Sequence, residues 1–206
     1  VLGLPAPAHA DGFVVAGFGS GELAALRATT GGVAWSDSLA GGGGRTSITD
    51  LSAILGMPMT HAGRVYATSL GGQLLAIDLR SGRRLWELEV ASQQAPWVAG
   101  DWLFVVSTDA KVAAINAADG SVAWVTQLTR WENPAKEKDP IFWVGPILAG
   151  GRLFVANSIG NAVLLDPSNG AEVGTVSLPG NASLGPIVAG GTMYMVTDNA
   201  TLVAFR

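Results

Sequence analysis

Short apolar runs separated by glycine turns recur along the whole chain. The stretch Gly72 to Asp78 (GQLLAID) aligns with Gly21 to Arg27 (GELAALR), Ala110 to Asn116 (AKVAAIN), Gly160 to Asp166 (GNAVLLD) and Ala200 to Arg206 (ATLVAFR). Downstream of the first four runs, glycines recur at Gly31, Gly82, Gly120 and Gly170. Further on stand Trp35, Trp86 and Trp124, with Gly174 at that place in the fourth copy. Upstream, each copy opens on a proline, a short apolar run and a glycine: Pro7 to Gly12, Pro58 to Gly63, Pro96 to Gly100, Pro146 to Gly150 and Pro186 to Gly190. The second copy reads as four strands, roughly 59–62, 64–69, 73–78 and 84–90. Its turns hold glycine where tight hairpins need positive φ. Branched aliphatic residues dominate the strands, and no segment holds a helical period.

Repeats of about 40 residues with four strands each predict an all-β fold, a β-propeller of four-stranded antiparallel blades. About four and a half to five blades are expected in a single propeller over 1–206, with repeats near 7–40, 58–90, 96–128, 146–178 and 186–206. Trp35, Trp86 and Trp124 are expected to fill the gaps between blades. Asp78, Asn116 and Asp166, with Gly31, Gly82, Gly120 and Gly170, are expected to make the turn into the fourth strand. These are structural residues of the repeat. The last copy stops after its third strand, so its fourth is expected from sequence outside this chain. Open blade edges predict an incomplete ring or pairing with another copy.

Two units carry inserts, 40–57 and 129–145. Long loops in a compact repeat fold tend to carry function. In the first, Ile48, Leu51, Ile54 and Leu55 are spaced like one amphipathic turn. They need the propeller's own face or another protein to pack against. In the second, Trp131, Phe142 and Trp143 flank a mixed-charge run with Glu132, Glu137 and Asp139. These aromatics are expected to fold back over a blade edge, the alternative being a partner patch.

Composition narrows the chemistry. Apolar residues make up 49% and charged residues 14%, so much of the chain is buried. A net charge of −4 with 12 Lys and Arg gives no basic face for nucleic acid. The absence of cysteine removes disulfides, thiolate metal sites and a cysteine nucleophile. No apolar run is long enough for a membrane-spanning helix. The chain starts at Val1, which suggests a native start further upstream. His9 and His61 both lie near a first turn and are expected in equivalent structural slots. Gly41 to Gly44 lack the lysine and helix of a phosphate loop and read as a flexible linker. No catalytic, metal or cofactor residue is expected.

The repeat, Ala-[Ile/Leu]-[Asp/Asn]-x3-Gly-x3-Trp with its proline opening, resembles the pyrroloquinoline-quinone-type propeller repeat. Two families share it, quinoprotein dehydrogenases and the outer-membrane assembly lipoproteins called BamB. The chain is more similar to the second, on Asp50-Leu51-Ser52 leading to Pro58, on Gly72 to Trp86, and on Arg130-Trp131-Glu132-Asn133 running to Asp139 to Trp143. That last insert looks like the alphaproteobacterial form. The resemblance implies part of an eight-bladed ring and a periplasmic lipoprotein at the outer membrane, anchored by an upstream lipid. It implies a scaffold rather than an enzyme, bound to the periplasmic (POTRA) domains of BamA and possibly engaging unfolded outer-membrane proteins. The implied contact residues are Leu2, Leu4, Ile48, Asp50, Leu51, Ser52 and Ile54. Ala53 and Leu55 stand where some relatives carry acidic residues, which implies a more apolar contact. A quinoprotein fragment is the alternative. It would need calcium held by oxygen ligands and usually adjacent cysteines. A ligand-binding propeller is a third reading and would need polar groups converging on a central channel.

Overall fold

The computed structural model describes residues 5–39 and 52–206. Within them the chain folds into consecutive antiparallel sheets, each built from strands in sequence order. The first sheet holds β1 (Ala8–Ala10), β2 (Phe13–Gly17), β3 (Glu22–Arg27) and β4 (Val33–Ser38). The second holds β5 (Met59–His61), β6 (Arg64–Thr68), β7 (Gln73–Asp78) and β8 (Arg84–Glu89). The third holds β9 (Trp97–Ala99), β10 (Trp102–Val106), β11 (Lys111–Asn116) and β12 (Val122–Gln127). A two-stranded hairpin follows, β13 (Trp131–Asn133) and β14 (Lys138–Pro140), joined by a 3-10 turn at Pro134–Lys136. The fourth sheet holds β15 (Trp143–Ala149), β16 (Arg152–Asn157), β17 (Asn161–Leu165) and β18 (Glu172–Ser177). The fifth has three strands, β19 (Ile187–Ala189), β20 (Thr192–Val196) and β21 (Leu202–Phe205).

Both faces of an inner sheet are apolar because both are covered. Side chains alternate along a strand. In β6, Val65 and Ala67 pack toward the first sheet while Tyr66 packs toward the third. In β10, Leu103 and Val105 turn back to the second sheet, and Phe104 and Val106 turn forward to the fourth. In β16, Leu153 and Val155 face the third sheet and Phe154 and Ala156 the fifth. The core is therefore a series of layers, one in each gap between neighbouring blades. This is the propeller architecture that the repeat predicts.

The outer face of the fifth sheet follows the same alternation without a neighbour among the described residues. Ile187, Val196 and Leu202 lie on that face and are exposed. The corresponding side chains of inner blades, such as Leu74, are fully buried.

The turn between the first two strands is a two-residue hairpin with positive φ at both positions, Asp11 and Gly12 in the first blade and Ala62 and Gly63 in the second. Such turns match the right-handed twist of the strands they join. They also correct the reading of the histidines. His9 lies opposite Val14, whereas His61 lies opposite Arg64; the residue opposite Val65 is Thr60. The slots are thus one residue apart. A shift of one residue in a strand turns a side chain to the other face.

The second insert has structure of its own. Trp131 pairs with Pro140 and Asn133 with Lys138 across the hairpin. Arg130 sits 5.5 Å from the centre of the Trp131 ring. Trp143 is not in a loop but in β15, opposite Asn157. It is buried, and its indole N–H donates to the Thr129 carbonyl at 2.9 Å. Phe142 alone of the three aromatics is largely exposed.

Candidate functional site

Strand order puts all the blade-to-blade connectors at one end of the sheets. The turns between second and third strands lie at that same end. The turns beginning at Asp78, Asn116 and Asp166 lie at the other.

At the latter end the repeat residues form a device that spans two blades. The Asp78 carboxylate accepts from the Ser81 N–H and hydroxyl at 2.8 and 2.7 Å. The Asn116 side chain accepts from the Ala118 N–H, and Asp166 accepts from Ser168. The serine hydroxyls hold Asp78 and Asp166 below the usual carboxylate range. The N–H groups of Gly31, Gly82, Gly120 and Gly170 donate to the carbonyls of Arg27, Asp78, Asn116 and Asp166. Each tryptophan then reaches the turn of the next blade. Trp35 donates to Leu79, Trp86 to Ala117 and Trp124 to Pro167. Gly82, Gly120 and Gly170 lie directly against the rings of Trp35, Trp86 and Trp124. The recurring glycine is therefore also the seat of the preceding blade's tryptophan.

At the connector end a second device recurs. The Ser69 hydroxyl accepts from the Gln73 N–H, the Ser107 hydroxyl from Lys111, and the Asn157 side chain from Asn161. These polar residues close the turn after the second strand. Their signal in the sequence is a Ser, Asn or Thr ahead of four of the five aligned runs, at Ser69, Ser107, Asn157 and Thr197; the first has Phe18 there.

Of the expected contact residues, Leu2, Leu4, Ile48, Asp50 and Leu51 lie outside the described residues. Ser52 is partly exposed and packs on the Gly21 turn of the first blade. Ile54 is fully buried among Val15, Leu23 and Leu75, and its N–H donates to the Phe18 carbonyl. Of the two surfaces its apolar side chain could meet, it meets the propeller's own. That corrects its place in a partner contact, because a side chain without exposed surface offers a partner nothing. Ala53 is buried as well, and its carbonyl accepts from the Leu70 N–H. The end of the insert thus straps the first blade to the second.

A cavity of about 310 Å³ opens at the connector end between the third and fourth blades. Gln94, Ser107, Thr108, Phe142, Ser158 and Ser183 are among its lining residues, none of which titrates near neutral pH. Such a lining hydrogen-bonds but moves no proton in the manner of a general acid or base. Among the described residues no group of His, Asp or Glu is gathered so as to hold a metal ion. No described helix is long and apolar enough to cross a membrane.

The rim between the first and second blades carries the charged strap. Arg84 of β8 donates to both carboxylate oxygens of Asp37 at 2.7 and 2.8 Å, and to the Ser38 carbonyl at 2.8 Å. The Arg84 hydrogen bonds hold the Asp37 carboxyl below its ordinary value. A lowered carboxyl pKa contributes stability above the unfolded value, near 4. That contribution is lost as pH falls through the folded value. Both side chains are partly exposed, so the strap is worth at most about 1 kcal/mol. Arg84→Ala should therefore cost up to about that much above pH 5, and the cost should fade as pH drops below about 4 and through the folded value of Asp37. Urea denaturation across that range checks it. An equal cost at both ends would show that packing of the arginine stem, not charge, holds the rim.

The family model described as outer membrane protein assembly factor BamB matches residues 1–126 and 128–206. Curated BamB proteins align over nearly the whole chain. The one from Burkholderia pseudomallei is 30% identical over 200 residues, covering 95% of this chain and 49% of its own. The one from Salmonella typhimurium is 29% identical over 203 residues, covering 98% and 50%. The chain thus spans about half the length of the curated relatives it matches. Among solved structures, BamB from Moraxella catarrhalis superposes with a TM-score of 0.84 at 23% identity, over 99% of this chain and 59% of that one. The quinohemoprotein alcohol dehydrogenase of Comamonas testosteroni superposes at 0.73 with 14% identity, over 98% and 41%. At those identities the superpositions speak to the fold alone.

Proposed function

This chain belongs to the BamB family of outer membrane protein assembly factors, and from that premise we propose that it is part of a non-enzymatic scaffold subunit of the outer-membrane β-barrel assembly machinery. In this reading it works at the periplasmic face of the outer membrane, with the full-length protein held there by an N-terminal lipid. It binds the periplasmic (POTRA) domains of BamA and assists insertion of outer-membrane proteins, engaging them while unfolded. It needs no cofactor. The alphaproteobacterial character of the 130–143 insert belongs to the same proposal.

The observation that carries the reading is the family match along almost the whole chain, on an architecture whose recurring polar residues are used up in turns. Asp78, Asn116 and Asp166 hold their own backbone, and the indole N–H groups hold the next blade. A scaffold presents surfaces rather than reacting groups. The neutral cavity lining is in keeping with that, and the likeness to a dehydrogenase extends only to the fold.

The test is capture of BamA's periplasmic domains on the immobilised 206-residue chain. The wild type should retain them. Leu51→Asp should weaken retention about tenfold or more while leaving thermal unfolding unchanged. No retention by the wild type would overturn the scaffold reading. Unchanged retention by Leu51→Asp would move the contact away from the first insert.

A further inference from the structure

The connectors between blades repeat two backbone bonds. In the first, the N–H groups of Leu70, Thr108, Ser158 and Asp198 donate to the carbonyls of Ala53, Ala91, Phe142 and Asn181. In the second, the N–H groups of Ile54, Ser92 and Ala182 donate back to the carbonyls of Phe18, Ser69 and Asn157. By the first series, Trp143 holds the place of Ile54, Ser92 and Ala182. Its bond should return to the Ser107 carbonyl of the third blade. That carbonyl accepts from the Ala110 N–H of its own turn at 3.1 Å, and no connector N–H among the described residues reaches it. The cause is the strand that follows. β5, β9 and β19 have three residues each, whereas β15 has seven and starts at Trp143. Trp143 and Val144 pair with Asn157 and Ala156 inside the fourth sheet. Residues that bridge two blades elsewhere are drawn into one blade here.

The cavity of about 310 Å³ between the third and fourth blades lies over this missing bond. Several of its polar groups are uncommitted. The Gln94 side-chain oxygen accepts from the Gly145 N–H at 3.5 Å, and the amide N–H groups of that side chain have no partner among the described residues. The Ser158 hydroxyl accepts from the Phe142 N–H at 3.0 Å and keeps its own proton to donate. The Thr108 hydroxyl has no partner among the described residues. Beside these groups stands Phe142, 63% exposed. The floor is apolar, with Val106, Ala110, Ile141 and Ala182 buried. An ion would enter such a cavity without a counter-charge, and a hydrocarbon would strand its donors. A neutral molecule with a donor, acceptors and a small apolar group matches it.

We propose that this cavity binds an acetamido sugar ring of the N-acetylglucosamine class. The acetamide methyl rests on the apolar floor. Its N–H donates to the Ser107 carbonyl, in place of the missing connector bond. Its carbonyl accepts from Thr108 and Gln94, and the C–H face of the ring lies on Phe142. A few converging polar groups set in an apolar wall fix a ligand's orientation in this way. The volume is at the lower end for small-molecule sites, which suits a single ring. The site stands on the third and fourth blades alone and goes beyond the scaffold reading.

The test is a saturation-transfer NMR titration of N-acetylglucosamine on the 206-residue chain. Binding should saturate, with the strongest transfer to the acetamide methyl. Glucose, which lacks the acetamide, should bind about tenfold or more weakly, because the groups built for it are left unpaired. Thr108→Val should weaken binding several-fold by removing one donor at constant shape. Phe142→Ala should weaken it about threefold to tenfold. Both residues are exposed, so both variants should melt like the wild type. Leu202→Ala, in the fifth sheet, should change nothing. Competition by the N-acetylglucosamine trimer supports the site for a ring carried in a glycan chain; failure to compete supports it for the free sugar. Absence of saturable binding, equal binding of glucose, or binding that neither Thr108→Val nor Phe142→Ala lowers would overturn the proposal. Equal binding of N-acetylalanine N-methylamide would assign the cavity to a peptide unit and overturn it as well.

Discussion

Trp35→Ala should remove about 3–5 kcal/mol of folding stability, the range for emptying a large aromatic from a core. Trp35 is the most buried of the three repeat tryptophans, packed among residues of the first and second blades. Its loss opens a cavity between two rigid sheets. The second sheet cannot collapse into it without moving the gap beyond, because it also packs on the third. The indole N–H donates to the Leu79 carbonyl at 2.7 Å, and Leu79 is itself buried. The substitution therefore also leaves a buried acceptor without a donor. Trp35→Phe separates the two effects. It keeps most of the ring and should cost about 1–3 kcal/mol for the orphaned carbonyl and the smaller ring. Val33→Ala, two residues away but largely exposed, should stay within about 0.5 kcal/mol. Urea denaturation of the three variants decides the matter. A loss below about 1 kcal/mol for Trp35→Ala would mean that the blades slide together and that the tryptophan is no wedge.

The wedge role was legible in the sequence because it is tied to fixed spacing. A glycine, then a tryptophan at constant distance, recurs only if each unit repeats one geometry. The four-strand unit was legible for the same reason. What the tryptophan rests on was not, because its seat is in the next repeat. The pattern shows Gly82 after Asp78 but not that Gly82 lies under Trp35. Relations between blades are invisible to a reading made along the chain. The Arg84 strap is of this kind. It depends on which residue of one sheet faces which residue of another.

Local features failed for a different reason. The hairpin at 131–140 pairs only three residues on each side and turns through positive φ at Glu137 and Asp139. Neither residue type announces that conformation as glycine does. Its charged composition reads as a loop. Ile54 looked like part of an exposed amphipathic turn because the spacing of apolar residues says that a face exists. It does not say what covers it. Here the first two blades do, at least for Ile54. The histidines show the limit of a repeat pattern: a one-residue slip leaves the repeat recognisable and changes the face.

The seat of Trp86 gives the second large effect. Gly120 has φ of +79°, and a Cβ placed on it would fall 2.9 Å from the Trp86 ring, with two further ring atoms within 3.1 Å. Gly120→Ala should therefore cost about 2–5 kcal/mol. Roughly 1–2 of that is the left-handed backbone, which an L side chain adopts reluctantly. About 1–3 is the displacement of a rigid ring that has nowhere to bend. The two parts respond differently to the partner. With Trp86→Ala in place every ring atom near the new Cβ is gone, and only the backbone cost of about 1–2 kcal/mol should remain. The double variant should thus be more stable than the sum of single costs predicts, by about 1–3 kcal/mol, as expected of residues in direct contact. Trp86 does more than touch Gly120, since its indole donates to Ala117 and its ring lies 5.9 Å from that of Tyr66. Those losses occur in both backgrounds and cancel from the cycle. Strict additivity would mean that the glycine is held by its φ alone and that the tryptophan sits there incidentally. Coupling of the expected size would show why the two residues recur together: one blade's wedge fits only a turn without a side chain in the next.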